Sequence, residues 1–419
     1  MKKIFIITII TFLISIPLVA QQFDLSAEVR PRYENKHGFK TLINDNDDGA
    51  NFVSQRTRLN FNFEQDKIKL KVVLQNVRVW GDVSTMASDD NATALHEAWA
   101  EAILSDKVSL RLGRQEIVYD DSRIFGNVGW AQQARSHDAF LFLYKPDANN
   151  RLDIGLALNA DTQSGTDLLY SNAAGYKTFQ YAWYHGNFDK LGLSVLVLNT
   201  GVEFNDISKQ KVHYMQTIGP RLTYKVGDFN FNAATYFQTG KRINSDVNAS
   251  YFSANIGYKL SEEFTAGIGM EYLSGKDMND TSTDTKSFTP QFGTNHKFNG
   301  WMDYFYVGNH IGSVGLTDIN ATIAYKKDKF YAKLVPHLFS SAATVYNGTE
   351  EVSNRLGTEI DLTIGYAIAK DIKLSAGYSK MFATDTMEVL KGGDADANNS
   401  WAWVMFTFKP NLFSFKPTN

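Results

Sequence analysis

The sequence predicts an all-β fold: one transmembrane antiparallel β-barrel of 18 strands, with short periplasmic turns and long extracellular loops. Three observations predict it. Apolar residues recur at every second position, short and long polar connections alternate, and the chain opens with an export leader.

The leader comes first. Lys2 and Lys3 precede an apolar run from Ile4 to Ala20, too short and too early for a resident helix. Residues 1–20 read as a signal peptide cleaved after Ala20, although Leu18 is bulkier than such a site prefers. No Cys follows, which argues against a lipid-anchored terminus. Residues 21–419 read as one domain without a hinge-like linker or low-complexity block, and no later run is long enough for a spanning helix. The mean hydropathy of -0.28 with 29 Phe, 20 Tyr and 7 Trp describes a chain polar on average yet rich in rings. That composition suits a wet interior and aromatic girdles.

The strands follow. In Arg56-Thr57-Arg58-Leu59-Asn60-Phe61-Asn62-Phe63-Glu64 the even positions are polar and the odd positions from Leu59 are apolar. The same alternation runs through Leu152/Ile154/Leu156/Leu158, Phe229/Phe231/Ala233/Thr235/Phe237, Ile360/Leu362/Ile364/Tyr366 and Ile372/Leu374/Ala376/Tyr378. The strands fall at 23–34, 54–65, 68–80, 95–104, 108–118, 135–145, 151–161, 176–186 and 190–200. The second half adds 212–226, 229–240, 250–260, 264–274, 317–326, 329–339, 355–368, 372–382 and 400–409. Tight turns such as Asp66-Lys67 and Gly227-Asp228 alternate with loops at 35–53, 81–94, 119–134, 162–175, 201–211, 241–249, 275–316, 340–354 and 383–399. An even count returns both termini to the periplasm and leaves no open edge. Within 275–316, Trp301 to Val307 reads either as a further strand or as an inward-folded loop, so 16 or 20 strands remain open. A soluble all-β protein would need a second packed layer for every apolar face, and strands this long and numerous fit a membrane crossing better.

Parity then assigns a wet face. Leu25, Ala27 and Val29 oppose Glu28, Arg30 and Arg32. Arg56 and Arg58 lie on the polar face of the second strand, Lys69 and Lys71 on that of the third, and Arg111 on that of the fifth. Charges are costly toward lipid, so these seven cations point into the lumen and give the N-terminal third a basic inner wall. Such a wall favours anions over cations. The bland alternative is that the arginines pair with Glu28, Glu64 or Glu97 and stiffen the barrel.

Other chemistries find little support. With no Cys there is neither disulfide nor thiolate metal site. The eight histidines lack metal-ligand spacing, no H-E-x-x-H or G-x-S-x-G occurs, and no cofactor or enzymatic activity is expected. A formal charge of -3 with no basic tail gives nucleic acid nothing to bind.

Residues 95–144 contain L-H-E-A-W-A-E-A, then L-R-L-G-R-Q-E-I-V-Y-D-D-S-R-I-F-G-N-V-G-W, then Q-Q-A-R-S-H-D-A-F. With H-K-F-N-G-W-M-D-Y-F at 296–305 and V-G-L-T-D at 314–318, this resembles the alginate-export family of outer-membrane barrels, including its Bacteroidota-type members. The resemblance implies an 18-stranded barrel that lets an anionic polysaccharide or smaller solutes cross the outer membrane passively. It carries over Glu97, Arg114, Gln115, Arg123, Trp130, Arg135 and Asp138 as constriction or loop-anchoring residues. The seven inward cations are compatible with the family's basic lumen but rest on strand parity. Gly126 and Gly129 would let the loop between Arg123 and Arg135 fold inward. The expected partners are outer-membrane lipids and lipopolysaccharide, the barrel assembly machinery, and an anionic saccharide or other small solute. A general or sugar-selective diffusion porin and a structural or adhesin barrel are the rival readings.

Overall fold

The computed structural model describes residues 21–89, 92–166, 168–170, 175–206 and 209–416, so the expected signal peptide at 1–20 lies outside it. The first nine strands are β1 (Gln21–His37), β2 (Ala50–Gln65), β3 (Ile68–Val79), β4 (Thr93–Ser105), β5 (Val108–Gln115), β6 (His137–Tyr144), β7 (Asn150–Leu158), β8 (Thr178–Phe188) and β9 (Leu191–Asp206). They continue as β10 (Lys209–Val226), β11 (Phe229–Arg242), β12 (Ser245–Lys259), β13 (Phe264–Leu273), β14 (Leu316–Lys327), β15 (Phe330–Ser340), β16 (Arg355–Ala369) and β17 (Ile372–Ala383). The last strand, β18, is broken into Ser400–Phe408 and Asn411–Phe415. Each strand pairs antiparallel with its neighbour, and both parts of β18 pair with β1, which closes an 18-stranded barrel.

Register explains why the alternation is so clean. In β1–β2 every residue from Gln21 to Lys36 has a partner in unbroken sequence, so a one-residue slip would turn all the arginines to lipid. Leu59, Ile154, Leu156, Ile268, Ile319, Ile323 and Leu362 are exposed on the outside, as a lipid face requires. Beside the short turns, outward rings touch: Phe229 and Tyr258 at 4.6 Å, Phe264 and Tyr325 at 4.7 Å. They form part of an aromatic girdle. The turns themselves are made by residues with positive φ, including Asp66, Asp189, Gly227 and Asp328, the backbone that tight hairpins demand.

Some connections differ from expectation. The loops expected at 201–211 and 241–249 are strand hairpins: β9 and β10 pair out to Asp206 and Lys209, and β11 and β12 to Arg242 and Ser245. Polar residues there suggested loops, but above the membrane a ladder needs no apolar face. The loop at 383–399 holds a helix, α1 (Asp385–Lys391), and that at 340–354 a two-rung hairpin. Trp301 to Val307 is not a strand but part of a long loop folded inside the barrel.

The interior is also drier than expected in one sector. Inward-facing Leu141, Leu143, Phe179, Tyr181, Trp183, Leu196 and Leu198 are buried against Tyr119, Phe125, Phe292 and other loop residues. Strands β6 and β9 carry near-continuous apolar runs because lipid covers one face and a loop covers the other. The opposite sector is wet: Asn230, Asn232, Asn255, Gly257, Gly267, Asn320 and Thr322 leave space toward the periplasmic end.

Candidate functional site

Two loops, 116–136 between β5 and β6 and 274–315 between β13 and β14, partition the lumen. They are tied to each other: Gly126 N–H donates to Phe292 O, and Thr294 N–H to Ser122 O, each at 2.9 Å. Their irregular backbones carry carbonyls that no ladder satisfies, and the barrel wall supplies the donors.

The N-terminal arginines are those donors. Arg30 donates to Gly129 O (2.9 Å), Trp130 O (3.1 Å) and Gln132 Oε1 (2.9 Å). Arg32 donates to Trp130 O (2.8 Å) and Glu34 (2.9 Å), its guanidinium 4.1 Å above the Trp130 ring. Arg56 pairs with Glu28 at 2.5 Å and reaches Gly129 O. Arg58 donates to Gln75 (2.7 Å) and lies 3.8 Å from Glu116. A planar five-donor fork suits this task better than a lysine point charge.

Farther round, Lys69 pairs with Glu64 (3.1 Å), Lys71 with Glu97 (2.5 Å) and Arg111 with Glu101 (2.7 Å), the last stacked 4.2 Å over Trp99. Glu97 also accepts from Trp99 Nε1 and the Glu116 amide. Gln115 is fully buried and donates to Ala139 O at 3.0 Å. Between them Gly113 sits at φ +120, where a Cβ would stand 2.3 Å from Ala98 O, so only glycine lets β4 and β5 approach.

Arg114 and Asp138 are placed differently from the loop-anchoring role. They pair with each other at 2.8 Å but share the outward parity of Leu112 and Phe140 and are well exposed. Family motif, not parity, put them inside.

Trp130 stacks on His296 at 4.9 Å and meets Trp403 and Trp401 edge-on at 4.8 and 5.6 Å. Arg123 is almost fully buried, 3.0 Å from Glu271 and 2.9 Å from Asn299. Arg135 donates to Gly293 O at 3.0 Å.

Cations without an acid stand out against this background. Among the described residues, Arg135, Arg242, Lys297 and Lys333 have no carboxylate within salt-bridge distance. Arg135 and Arg242 line a cavity of about 260 Å³ on the extracellular side, with His137, Tyr176, Gln291 and Phe292. Burial there pulls the Arg135 guanidinium below its usual range. Lys297 and Lys333 line a cavity of about 250 Å³ with Trp301, Asn232, Asn255, Asn320 and Thr322, and Asp121, Glu271, Asp318 and His337 form another part of its wall. That cavity is continuous with a periplasmic space of about 510 Å³ through the same Asn and Thr residues. Lys333 Nζ stands 5.6 Å from the Trp301 ring, and Lys297 donates to Asp121 O at 2.8 Å.

Sequence reasoning passed over three of these four. Lys333 shares the parity of Tyr331 and Val335 and was readable as inward; Arg242 was hidden in an expected loop. Lys297 carries no periodic signal at all.

Barrel and lumen together define a porin-like outer-membrane channel. A family model described as alginate export matches residues 21–402, and the chain belongs to that family. Solved structures of the same fold include OccK8 (OprE) of Pseudomonas aeruginosa, 12% identical over 93% of this chain and 98% of that one, with a TM-score of 0.63. A BenF-like porin from Pseudomonas fluorescens Pf-5 is 14% identical over 93% and 99%, with a TM-score of 0.62. OpdK of P. aeruginosa, solved with vanillate, is 11% identical over 94% and 99%, with a TM-score of 0.59. At these identities the likeness concerns the fold, and the Pseudomonas neighbours do not single out the Bacteroidota-type branch. No curated protein matches the chain.

Proposed function

We propose that the barrel is a passive channel for small anionic solutes, saccharide acids of the alginate type included. The carrying observation is that Arg135, Arg242, Lys297 and Lys333 face the two lumen cavities without a salt-bridge partner. Most other lumen cations are already spent: Arg30, Arg32 and Arg56 on loop 116–136, and Lys69, Lys71 and Arg111 on neighbouring carboxylates. An uncompensated cation lowers the barrier to an anion and raises it to a cation. Arg135 and Arg242 stand on the extracellular side, Lys297 and Lys333 on the periplasmic side. A carboxylate would be handed between weak contacts, with no covalent step. Around the lysines, amides and Trp301 offer hydroxyl partners and a ring face, which suits a sugar acid. Vanillate, present with OpdK, is likewise a carboxylate. Glu97, Gln115, Arg123 and Trp130 would act by fixing the loops, and the seven N-terminal cations mainly by holding or flanking them. Export of a polymer draws its support from family membership.

A second reading, a general or sugar-selective porin, is favoured by the run of Asn, Gly and Thr that makes up much of the wall at the periplasmic end. Single-channel recording with added uronate oligomers separates the two. Anionic passage gives concentration-dependent blocking that weakens at least several-fold in Lys297→Gln/Lys333→Gln. Equal blocking in both proteins, or blocking by neutral oligomers alone, contradicts it.

A further inference from the structure

Beneath loop 274–315, bordering the cavity of Lys297 and Lys333, lies a buried polar cluster. Glu271 on β13, Asp318 on β14, His337 on β15, and Glu359 with Asp361 on β16 all face inward and are buried. Arg123 reaches in from loop 116–136 to Glu271 at 3.0 Å. His337 Nδ1 lies 2.9 Å from Asp318, and its Nε2 lies 3.6 Å from Asp361. From the wall, Ser379 donates to Asp361 and Tyr251 to Glu271, and the loop supplies further donors. Asn299 donates to Glu271 (2.8 Å) and Asp318 (3.3 Å), Trp301 N–H to Asp361 (3.2 Å), and Met302 N–H to Glu359 (2.8 Å). At Gly300, between these contacts, a Cβ would lie 2.7 Å from the Glu359 carboxyl, so the loop is fitted to that group.

Charge counting gives this cluster its character. Four carboxylates share the volume with Arg123 and His337, and Lys333 lies beside Asp361, so at most three cations face four acids. Full ionisation would still leave net negative charge, with Glu359 and Asp361 fully buried side by side, and Glu359 Oε2 has no partner unless a proton supplies one. We propose that the cluster is a proton-controlled latch, which holds loop 274–315 in the lumen while it keeps its protons and frees the loop as they leave. Opening would hydrate the carboxylates and release protons, so rising pH favours the open form by linkage. One proton released corresponds to about a tenfold change in the open-to-closed ratio per pH unit.

Other titratable groups face the cluster or its loop. Tyr251 donates to Glu271, Tyr304 and Tyr306 pack beside the carboxylates, and Lys333 lies near Asp361. Within the loop, burial and Lys391 hold His310 at about 3, so it is neutral from pH 6 upward. Lys391, stacked over Phe305, is held at about 8 by burial; losing that charge favours the closed packing and so opposes the latch.

The regulatory consequence rests on the channel reading, but the latch itself is testable without it. The chain has no Cys, so Met302→Cys gives one buried loop thiol to a maleimide probe, and Thr349→Cys gives an exposed reference for thiolate reactivity. In folded protein in lipid vesicles, the Met302→Cys rate normalised to the reference should rise up to about tenfold per unit between pH 6 and 9. Glu359→Gln and Asp361→Asn, each added to Met302→Cys, should flatten that rise. A flat profile without the second substitution, or an unchanged slope in both double variants, overturns the latch. A pH-dependent rate in a barrel that conducts nothing sustains the latch and overturns the channel.

Discussion

Arg56 and Lys333 show how differently two inward cations are used. Arg56 is bonded to Glu28 at 2.5 Å, with both side chains almost fully buried. Replacing it by Ala leaves Glu28 with only Lys409, at 2.8 Å, and should cost up to about 3 kcal/mol in urea unfolding from lipid, with little change in ion selectivity. Lys333→Gln should do the reverse, shifting selectivity and leaving stability nearly unchanged. His310 provides a pH test at the same scale. Burial and Lys391 hold its imidazole at about 3 against an ordinary 6.5, so the folded loop binds fewer protons than an unfolded one in that window. The contribution of His310 to loop stability is therefore full above pH 6.5 and falls as pH drops toward 3. Hydrogen exchange of residues 308–315, the part of the loop around His310, should quicken between pH 7 and 4 after correction for intrinsic rates, against the opposite effect of the latch at residues 299–302. His310→Gln, which keeps a donor for Gly315 O, should reduce that change.

At the scale of strands and loops, the lipid face is the sharpest claim. Ile268 and Ile323 project outward near mid-strand, whereas Asn320 projects inward. Ile323→Arg should destabilise the barrel by about 2–4 kcal/mol in vesicle unfolding, and Asn320→Arg by much less. Those faces were legible because parity is local: each strand carries its own pattern. The hairpins at 206–209 and 242–245 were not, since beyond the bilayer the alternation lapses while the ladder persists. The inner loops were legible as long segments able to fold inward, but nothing local told that Arg30 and Arg32 would spend their donors on the carbonyls of Gly129 and Trp130, about a hundred positions away. Arg114 and Asp138 show the opposite error: strand parity already turned them outward, and only the family motif placed them inside.

For the whole molecule, a basic N-terminal wall would suggest that selectivity resides there. The ion pairs and loop contacts occupy most of that wall, whereas Arg135, Arg242, Lys297 and Lys333, on and between elements far apart in sequence, line the lumen cavities without a salt-bridge partner. The chain's formal charge of -3 is no guide to that field, because a channel's preference is set by the charges left unpaired along its path. The most direct test is the reversal potential of purified barrels in a planar bilayer under a KCl gradient. Anion selectivity that falls toward neutrality in Lys297→Gln/Lys333→Gln is the expected result. Cation selectivity in the unaltered protein, or no conductance, would contradict the account.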